Sequence, residues 1–258
     1  MFKKDSDIEI SYYLIETLKM QKDKKCRMMI LSDLHSFIYP KEQSKLISIV
    51  SSYKPDIIAM TGDIVDDKVK DTGAYMLAEK VVNIAPTFYV TGNHEFRRND
   101  VPLIKERFAK LGIKVLDNSA QHIKTDSYEM IIAGIDDEEG YRSREVWFSK
   151  AEDAFSDLKD KSDFKLLLLH KPHLAKYFLK YGFDLVLSGH THGGQVRTPF
   201  TKRGIYASGQ GIFPKITEGR YEIGELTLIV SRGLALQPHL PRLFNPTEIC
   251  VVDIRGIG

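Results

Sequence analysis

Eight short apolar runs recur along the chain, and each has the length of a β-strand. The runs are nearly continuous rather than alternating, which indicates strands that are covered on both faces by helices or by a second sheet. We therefore expect an α/β fold with a layered core. The runs lie at residues 28–31, 57–60, 88–90, 130–133, 166–169, 185–187, 226–230 and 249–251.

Segments of helical periodicity lie between several of these runs. In residues 44–53 the apolar positions fall on one stripe, and the pattern ends at Lys54-Pro55 because proline disfavours a helical residue before it. The first half of the chain thus predicts a βαβα order. Further helices are predicted at 74–82, 102–111 and 174–181.

After His192 the pattern changes, because glycine becomes frequent and helical periodicity is lost. This texture predicts loops and hairpins. No internal repeat, linker or low-complexity tract divides the chain. We therefore expect residues 1–258 to form a single domain.

The composition limits the partners that need to be considered. Lys and Arg number 37 and Asp and Glu 35, so the formal net charge is +2 with neutral histidines, and 43% of the residues are hydrophobic. Such a chain is globular rather than disordered, and its net charge gives no general attraction for nucleic acid or for an anionic membrane. Any attraction for anions must be local.

Cysteine content and hydropathy bear on the compartment. Cys26 and Cys250 are too few for a disulfide framework or a zinc knuckle, and we expect them to be small buried hydrophobes in a reducing compartment. The N-terminal residues contain no apolar signal segment, and no uninterrupted apolar run approaches the roughly 18 residues of a membrane span. The sequence therefore predicts a cytoplasmic protein without a transmembrane segment.

Histidine usage is the strongest chemical feature of the sequence. Five of the eight histidines lie at or shortly after a predicted strand end, and carboxylates or a carboxamide accompany them. Ligands of open α/β sheets bind outside the carboxyl ends of the strands, so we expect these side chains to converge on one rim. Imidazole together with carboxylate suits divalent ions such as Mn, Fe, Zn, Ni or Co. The residues are Asp33, His35, Asp63, Asn93, His94, His170, His190 and His192.

The order of these residues resembles that of the calcineurin-like metallophosphoesterase superfamily. The matching blocks span about residues 28–195 and are Asp33-x-His35, Gly62-Asp63, Gly92-Asn93-His94-Glu95, His170 and Gly189-His190-x-His192. Residues 189–195, 231–234 and 245–249 look like the bacterial branch of small phosphodiesterase-like members. The resemblance implies a four-layer sandwich in which two mixed β-sheets are flanked by helices.

The resemblance also implies a role for each of these residues. Two divalent metal ions, of Mn, Fe, Zn or Ni, are implied, with one oxygen of Asp63 facing each ion. His94 is implied as the general acid that protonates the leaving oxygen, and Asp66 as the carboxylate that orients His94. The first ion would take Asp33, His35 and His192 as ligands, and the second would take Asn93, His170 and His190.

These roles imply a hydrolase that cleaves a P–O bond of a small phosphorylated substrate by attack of a metal-bridging hydroxide. Two ions, two aspartates and a hydroxide leave about one net positive charge, which attracts phosphate. A phosphodiesterase is expected before a phosphomonoesterase. Three alternatives stay open: a non-catalytic metal-binding scaffold, a pyrophosphatase acting on a nucleotide-linked acylated sugar, and a nuclease, against which the net charge of +2 argues.

The glycine-rich residues 196–221 carry four basic and four aromatic side chains. Such loops beside a metal site could bind a phosphorylated ligand that has an apolar or ring-bearing group. Ordinary hairpins with a solvated face are an equally weighted alternative. The side chains are those of Arg197, Phe200, Lys202, Arg203, Tyr206, Phe213, Arg220 and Tyr221.

Overall fold

The computed structural model describes residues 8–199, 204–236 and 242–258. The strands in these ranges are β1 Glu9–Thr17, β2 Lys25–Leu31, β3 Ile57–Thr61, β4 Thr87–Val90, β5 Lys114–Val115, β6 Ser119–Lys124, β7 Glu129–Gly134, β8 Lys165–Leu168, β9 Leu185–Ser188, β10 Tyr206–Ala207, β11 Gly211–Ile212, β12 Gly219–Ile223, β13 Leu226–Val230 and β14 Glu248–Gly256. The α-helices are α1 Ser44–Ser52, α2 Thr72–Val81, α3 Asn93–Arg97, α4 Val101–Lys110 and α5 Arg144–Phe155. Segments of 3-10 helix lie at Glu138–Gly140, Ser156–Leu158, Pro172–Tyr181 and His192–Gly194.

Twelve of these strands form two mixed six-stranded sheets. In the first sheet, with the order β1-β14-β2-β3-β4-β5, strands β2 to β5 are parallel and β14 is antiparallel to β2. In the second sheet, with the order β12-β13-β9-β8-β7-β6, the four inner strands are parallel and both edge strands are antiparallel to their neighbours. Parallel neighbours need crossover connections, which the helices largely supply.

The two sheets pack face to face, and helices cover their outer faces. One buried cluster joins inward side chains of both sheets, such as Met28 and Ile30 of β2 with Ile132 of β7 and Leu166 of β8. A second cluster joins the first sheet to α1, α2 and α4, and a third joins the second sheet to α5 and the long 3-10 helix. Both faces of each sheet are therefore buried, which explains the continuous apolar runs.

This architecture confirms the fold expected from the sequence. The eight apolar runs coincide with strands, and the helices predicted at 44–53, 74–82 and 102–111 correspond to α1, α2 and α4. The fourth predicted helix forms as a 3-10 helix, Pro172–Tyr181, with its apolar stripe buried as expected. The hairpins β10–β11 and β12–β13 follow His192, in agreement with the glycine-rich texture.

In the part of the chain that the structure describes, no helix has the length and apolarity needed to cross a membrane. Cys26 and Cys250 are both buried and free.

The carboxyl ends of parallel strands from both sheets meet at one rim. Because the strands that lead to this rim consist mostly of buried apolar residues, polar side chains follow where the chain leaves the sheet. The first sheet contributes the loops after β2, β3 and β4, and the second contributes the loops after β8 and β9. These loops carry the residues singled out by the sequence, namely Asp33, His35, Asp63, Asp66, Asn93, His94, His170, His190 and His192.

Candidate metal centre

The first donor group consists of Asp33, His35 and His192, whose ligand atoms lie within 4.8 Å of one another. His192 Nε2 is 3.1 Å from His35 Nε2 and 3.4 Å from Asp33 Oδ1. Asp33 and His35 follow β2 of the first sheet, and His192 follows β9 of the second. The structure thus brings together, from distant parts of the chain, the three residues expected for the first ion.

The second donor group consists of Asn93, His170 and His190. His190 Nδ1 lies 3.1 Å from His170 Nε2, and the side-chain oxygen of Asn93 lies 3.2 Å from the same His170 atom. This amide position is also 2.9 Å from His190 Nδ1. Rotation of the amide lets Asn93 face the rings either with its nitrogen, as a hydrogen-bond donor, or with its oxygen, as a metal ligand. The three residues expected for the second ion are therefore also assembled.

Asp63 lies between the two donor groups. Its Oδ2 is 3.1 Å from His170 Nε2 of the second group and 3.8 Å from His35 Nε2 of the first. Its Oδ1 accepts a hydrogen bond from the backbone N–H of His94 at 2.8 Å. The sequence led us to expect one oxygen of Asp63 opposite each ion. The structure instead directs Oδ2 toward both groups, since the backbone holds Oδ1.

In His170 and His35, the hydrogen bond of Nδ1 determines that Nε2 is the ring nitrogen that faces the centre. His170 Nδ1 lies 2.8 Å from the carbonyl oxygen of Thr61, which can only accept, so Nδ1 carries a proton and Nε2 is available to a metal. His35 Nδ1 lies 2.9 Å from Asp66 Oδ2, with the same consequence. Bonds of this kind orient metal-binding histidines in proteins. The donor set therefore fits borderline divalent metal ions.

The ionisable groups of the centre shift one another's pKa values. Burial opposes the ionisation of Asp63, yet His170 and His35 hold the pKa of its carboxyl well below the usual range. Burial also opposes a charge on His170, but Asp63 raises the pKa of its imidazole to about 10. Burial and the neighbouring His170 lower the pKa of His190 well below its ordinary value. Metal binding at His170 would therefore displace a proton.

Backbone strain is concentrated at the same residues. Five of the seven expected ligands adopt a left-handed backbone conformation, with φ from 48° to 71°. L-amino acids rarely adopt this conformation outside glycine, and it costs about 1 to 3 kcal/mol per residue. Strain of this kind is typical of functional sites, where the surrounding structure enforces it. The strained residues are Asp33, His35, Asp63, His190 and His192.

His94 lies beside the first donor group, with its ring edge-on to that of His35 at 4.3 Å between centroids. Its Nδ1 is 2.7 Å from Asp67 Oδ1 but 3.5 Å from Asp66 Oδ2. Asp66 Oδ2 accepts the hydrogen bond of His35 instead. The carboxylate expected to orient His94 is thus engaged with a histidine of the first donor group, and the adjacent carboxylate contacts His94.

A cavity of about 850 Å³ opens over the two donor groups. Its walls include His94 and Asp67 as well as the apolar side chains of Phe37, Val69 and Leu236. A cavity with a charged floor and an apolar wall suits a ligand that combines phosphate with an apolar part.

Comparisons with known proteins agree with this geometry. The family described as calcineurin-like phosphoesterase matches residues 26–194. An uncharacterized metallophosphoesterase of Aquifex aeolicus is 32% identical over 257 residues, which cover 97% of this chain and 93% of the relative. The chain belongs to the calcineurin-like phosphoesterase family.

One further relative shows how much of the metallophosphoesterase chain is similar in sequence, and one solved structure shows how much is similar in fold. A relative from Campylobacter jejuni, Cj0846, is 31% identical over 254 residues, and the match covers 96% of this chain and 63% of that protein. A dimetal phosphatase from Danio rerio has the same fold, with a TM-score of 0.50 and 12% identity over 84% of this chain and 90% of its own. The match to the family and to the Aquifex aeolicus relative makes the chain a metal-dependent phosphoester hydrolase, as the sequence predicted.

Glu95 holds the ligand loops of the metallophosphoesterase together, a role that the sequence pattern did not assign to it. Its Oε1 accepts the backbone N–H groups of Ile64 and Val65 at 2.8 and 3.0 Å. Its Oε2 accepts those of Asp63 and Gly92 at 3.0 and 2.8 Å. The side chain is fully buried, and burial together with the nearby Asp63 raises the pKa of Glu95 to about 7. Glu95 thus ties the loop after β3 to the loop after β4.

The described residues singled out in 196–221 have different surroundings: one lines the cavity, two form ion pairs, Phe213 is exposed, and the Tyr221 hydroxyl accepts a hydrogen bond from the backbone N–H of Thr217. Tyr206 lines the cavity. Arg197 pairs with Glu218, and Arg220 pairs with a glutamate two residues along its own strand. Outside the described residues lie Phe200, Lys202 and Arg203.

Gly92 has no Cβ and therefore leaves space for the Asp63 side chain. An alanine at this position is expected to displace that ligand. A Cβ at residue 92 would lie 2.3 Å from Asp63 Oδ1 and 2.5 Å from the Asp63 backbone nitrogen. We expect Gly92→Ala to weaken the binding of Mn²⁺ by about 10-fold to 100-fold, because displacement of one ligand misaligns the others. Calorimetric titration of the metal-free protein with Mn²⁺ measures this affinity.

Gly112→Ala is the matched control for that substitution. Gly112 has φ +96°, and an added Cβ would meet no atom within 4 Å, so the change strains the backbone without a clash. Gly112→Ala should therefore bind Mn²⁺ as the wild type does. An equal loss of affinity in both variants would contradict the role given to Gly92.

Proposed function

We propose that this metallophosphoesterase is a phosphodiesterase whose centre holds two divalent metal ions. The observation that carries the proposal is the position of Asp63 Oδ2, which faces both donor groups. When bound, the ions would activate a water as nucleophile and withdraw charge from the phosphate. One ion would be held by Asp33, His35 and His192, the other by Asn93, His170 and His190, and both by Asp63.

His94 is placed to act on the leaving group. Its side chain is 22% exposed and lines the cavity, while its Nδ1 contacts Asp67. The other ring nitrogen, Nε2, can therefore present a proton to the departing oxygen. The contact with the Asp67 carboxylate orients the ring for this transfer.

The size of the cavity supports a diester as the substrate. A cavity of about 850 Å³ leaves room for substituents on both sides of a phosphate.

Hydrolysis of two model substrates tests the proposal. We expect kcat/KM for bis(p-nitrophenyl) phosphate to exceed that for p-nitrophenyl phosphate by about tenfold or more. This ratio is expected with at least one ion among Mn, Fe, Zn and Ni, and Mg is measured for comparison. His122→Ala, which changes an exposed histidine outside the two donor groups, should leave both values unchanged. A higher kcat/KM for the monoester would contradict the diester assignment. The absence of any hydrolysis with any of these ions would contradict the catalytic proposal as a whole.

A nucleotide-linked acylated sugar, cleaved at its pyrophosphate bond, is the second candidate substrate. The observation that favours it is the apolar wall, where Val69 and Tyr206 are 52% and 55% exposed beside the donor groups. Acyl chains that cover these side chains would gain free energy from the burial of apolar surface. Chromatography can detect whether a nucleotide-linked acylated sugar releases a nucleoside monophosphate. Release faster than that of p-nitrophenol from the model diester would support this substrate. The absence of release would remove it.

A further inference from the structure

We propose that Asp67 is the positioning residue for His94, and that Asp66 serves the first donor group instead. The inference rests on the proposed function, because it assigns His94 to the leaving group. The two carboxylates are adjacent in the chain, so their different partners can be identified only from the directions of their side chains.

Asp66 is committed on both of its oxygens. Oδ2 lies 2.9 Å from His35 Nδ1, and Oδ1 accepts the backbone N–H groups of Lys68 and Val69 at 2.8 and 3.0 Å. The backbone N–H of Asp66 donates to Ser36 Oγ at 3.1 Å, and its side chain is almost completely buried. Reorientation of Asp66 toward His94 would break several of these bonds inside the protein, where an unpaired polar group is costly.

Asp67 faces His94 from the cavity wall. Its Oδ1 lies 2.7 Å from His94 Nδ1, a short distance typical of a charge-assisted hydrogen bond. The corresponding distance from Asp66 Oδ2 is 3.5 Å, beyond the usual N–H···O range. The His94 ring packs edge-on to the His35 ring, and the hydrogen bond to Asp67 adds a polar constraint on its orientation.

The consequence for the reaction concerns the second nitrogen of His94. With Nδ1–H donated to Asp67, Nε2–H is directed away from Asp67 and can be transferred to the leaving oxygen. In that step the P–O bond breaks with its electron pair on the oxygen, the Nε2–H bond breaks and a new O–H bond forms. Loss of Asp67 should therefore slow only those reactions whose leaving group needs a proton.

A series of aryl methyl phosphodiesters tests this consequence. For Asp67→Ala we expect kcat to fall by about tenfold or more with phenol as the leaving group and to change little with p-nitrophenol, which departs readily as an anion. Asp67→Asn should recover part of the loss, because its amide oxygen still accepts the Nδ1–H bond. Asp66→Ala should instead weaken the binding of Mn²⁺, since it removes the acceptor that orients His35. Denaturation midpoints of all three variants report whether the fold is kept.

The hydrogen bond itself can be observed without turnover. The proton on His94 Nδ1 gives a downfield NMR resonance, which is assigned by its loss in His94→Ala. We expect this resonance in the wild type and in Asp67→Asn, and its loss by exchange with water in Asp67→Ala. An unchanged resonance in Asp67→Ala, or the wild-type dependence on leaving group in that variant, would overturn the inference. If the wild type hydrolysed no diester, the proposed function would fail, while the resonance would still decide whether Asp67 holds His94.

Discussion

Asp63→Asn is expected to lower kcat/KM for bis(p-nitrophenyl) phosphate by about a thousandfold or more, which corresponds to roughly 4 kcal/mol of transition-state stabilisation. Asp63 Oδ2 lies 3.1 Å from His170 Nε2 and 3.8 Å from His35 Nε2, so one carboxylate serves both donor groups. An amide carries no charge to offset two nearby cations, and its NH₂ group cannot bind a metal. Steady-state kinetics at saturating Mn²⁺, together with elemental analysis of the loaded protein, measure the loss.

The control for this substitution is Asp153→Asn, in which the replaced carboxylate is 69% exposed on α5. Its turnover and metal content should equal those of the wild type, because surface carboxylates of this kind contribute little. If Asp63→Asn keeps wild-type turnover and binds two ions with undiminished affinity, Asp63 does not bridge the donor groups.

Glu95→Gln is expected to lower the free energy of unfolding by about 2 to 5 kcal/mol, because the glutamine nitrogen would face backbone N–H groups that have no other acceptor at that position. Four such groups bond to Glu95 in the wild type, and two of them bond to each carboxylate oxygen. The loops after β3 and β4 carry Asp63 and Asn93, so the substitution should also reduce the affinity for Mn²⁺. Chemical denaturation, followed by far-ultraviolet circular dichroism, measures the change in stability.

Glu106→Gln is the control for Glu95→Gln, because it makes the same substitution at an exposed glutamate. Glu106 pairs with Lys110 on the exposed face of α4, where solvent replaces the lost interaction. We expect no measurable change in unfolding or in metal affinity for this variant. Glu95→Gln with equally small effects would show that the loops after β3 and β4 do not depend on the Glu95 carboxylate.

The strands that could be predicted from the sequence are those buried on both faces. The apolar runs at 28–31 and 57–60 have no polar alternation because helices cover one face of the first sheet and the second sheet covers the other. Strand β1 was not predicted because it lies at a sheet edge and mixes buried with exposed apolar residues such as Tyr12 and Leu14. Helix α5 was not predicted because its apolar residues segregate less sharply onto one face than those of α1 or α4.

The candidate ligands could be predicted because the rim is where polar residues must follow buried strands. What the sequence could not resolve is the direction of neighbouring side chains. Asp66 contacts the backbone N–H of Lys68 and the ring of His35, whereas Asp67 contacts the ring of His94. The role of Glu95 depends on backbone donors that have no side-chain signature. Its place three residues after Gly92, at the start of α3, is the capping position that could have indicated it.

The bridging position of Asp63 can be observed by anomalous diffraction from crystals grown with Mn²⁺. Two anomalous peaks per chain are predicted, both within coordination distance of Asp63 Oδ2. A single peak, or two peaks of which Asp63 contacts only one, would contradict the binuclear centre proposed for this hydrolase. The predicted neighbours of the first peak are Asp33, His35 and His192, and those of the second are Asn93, His170 and His190.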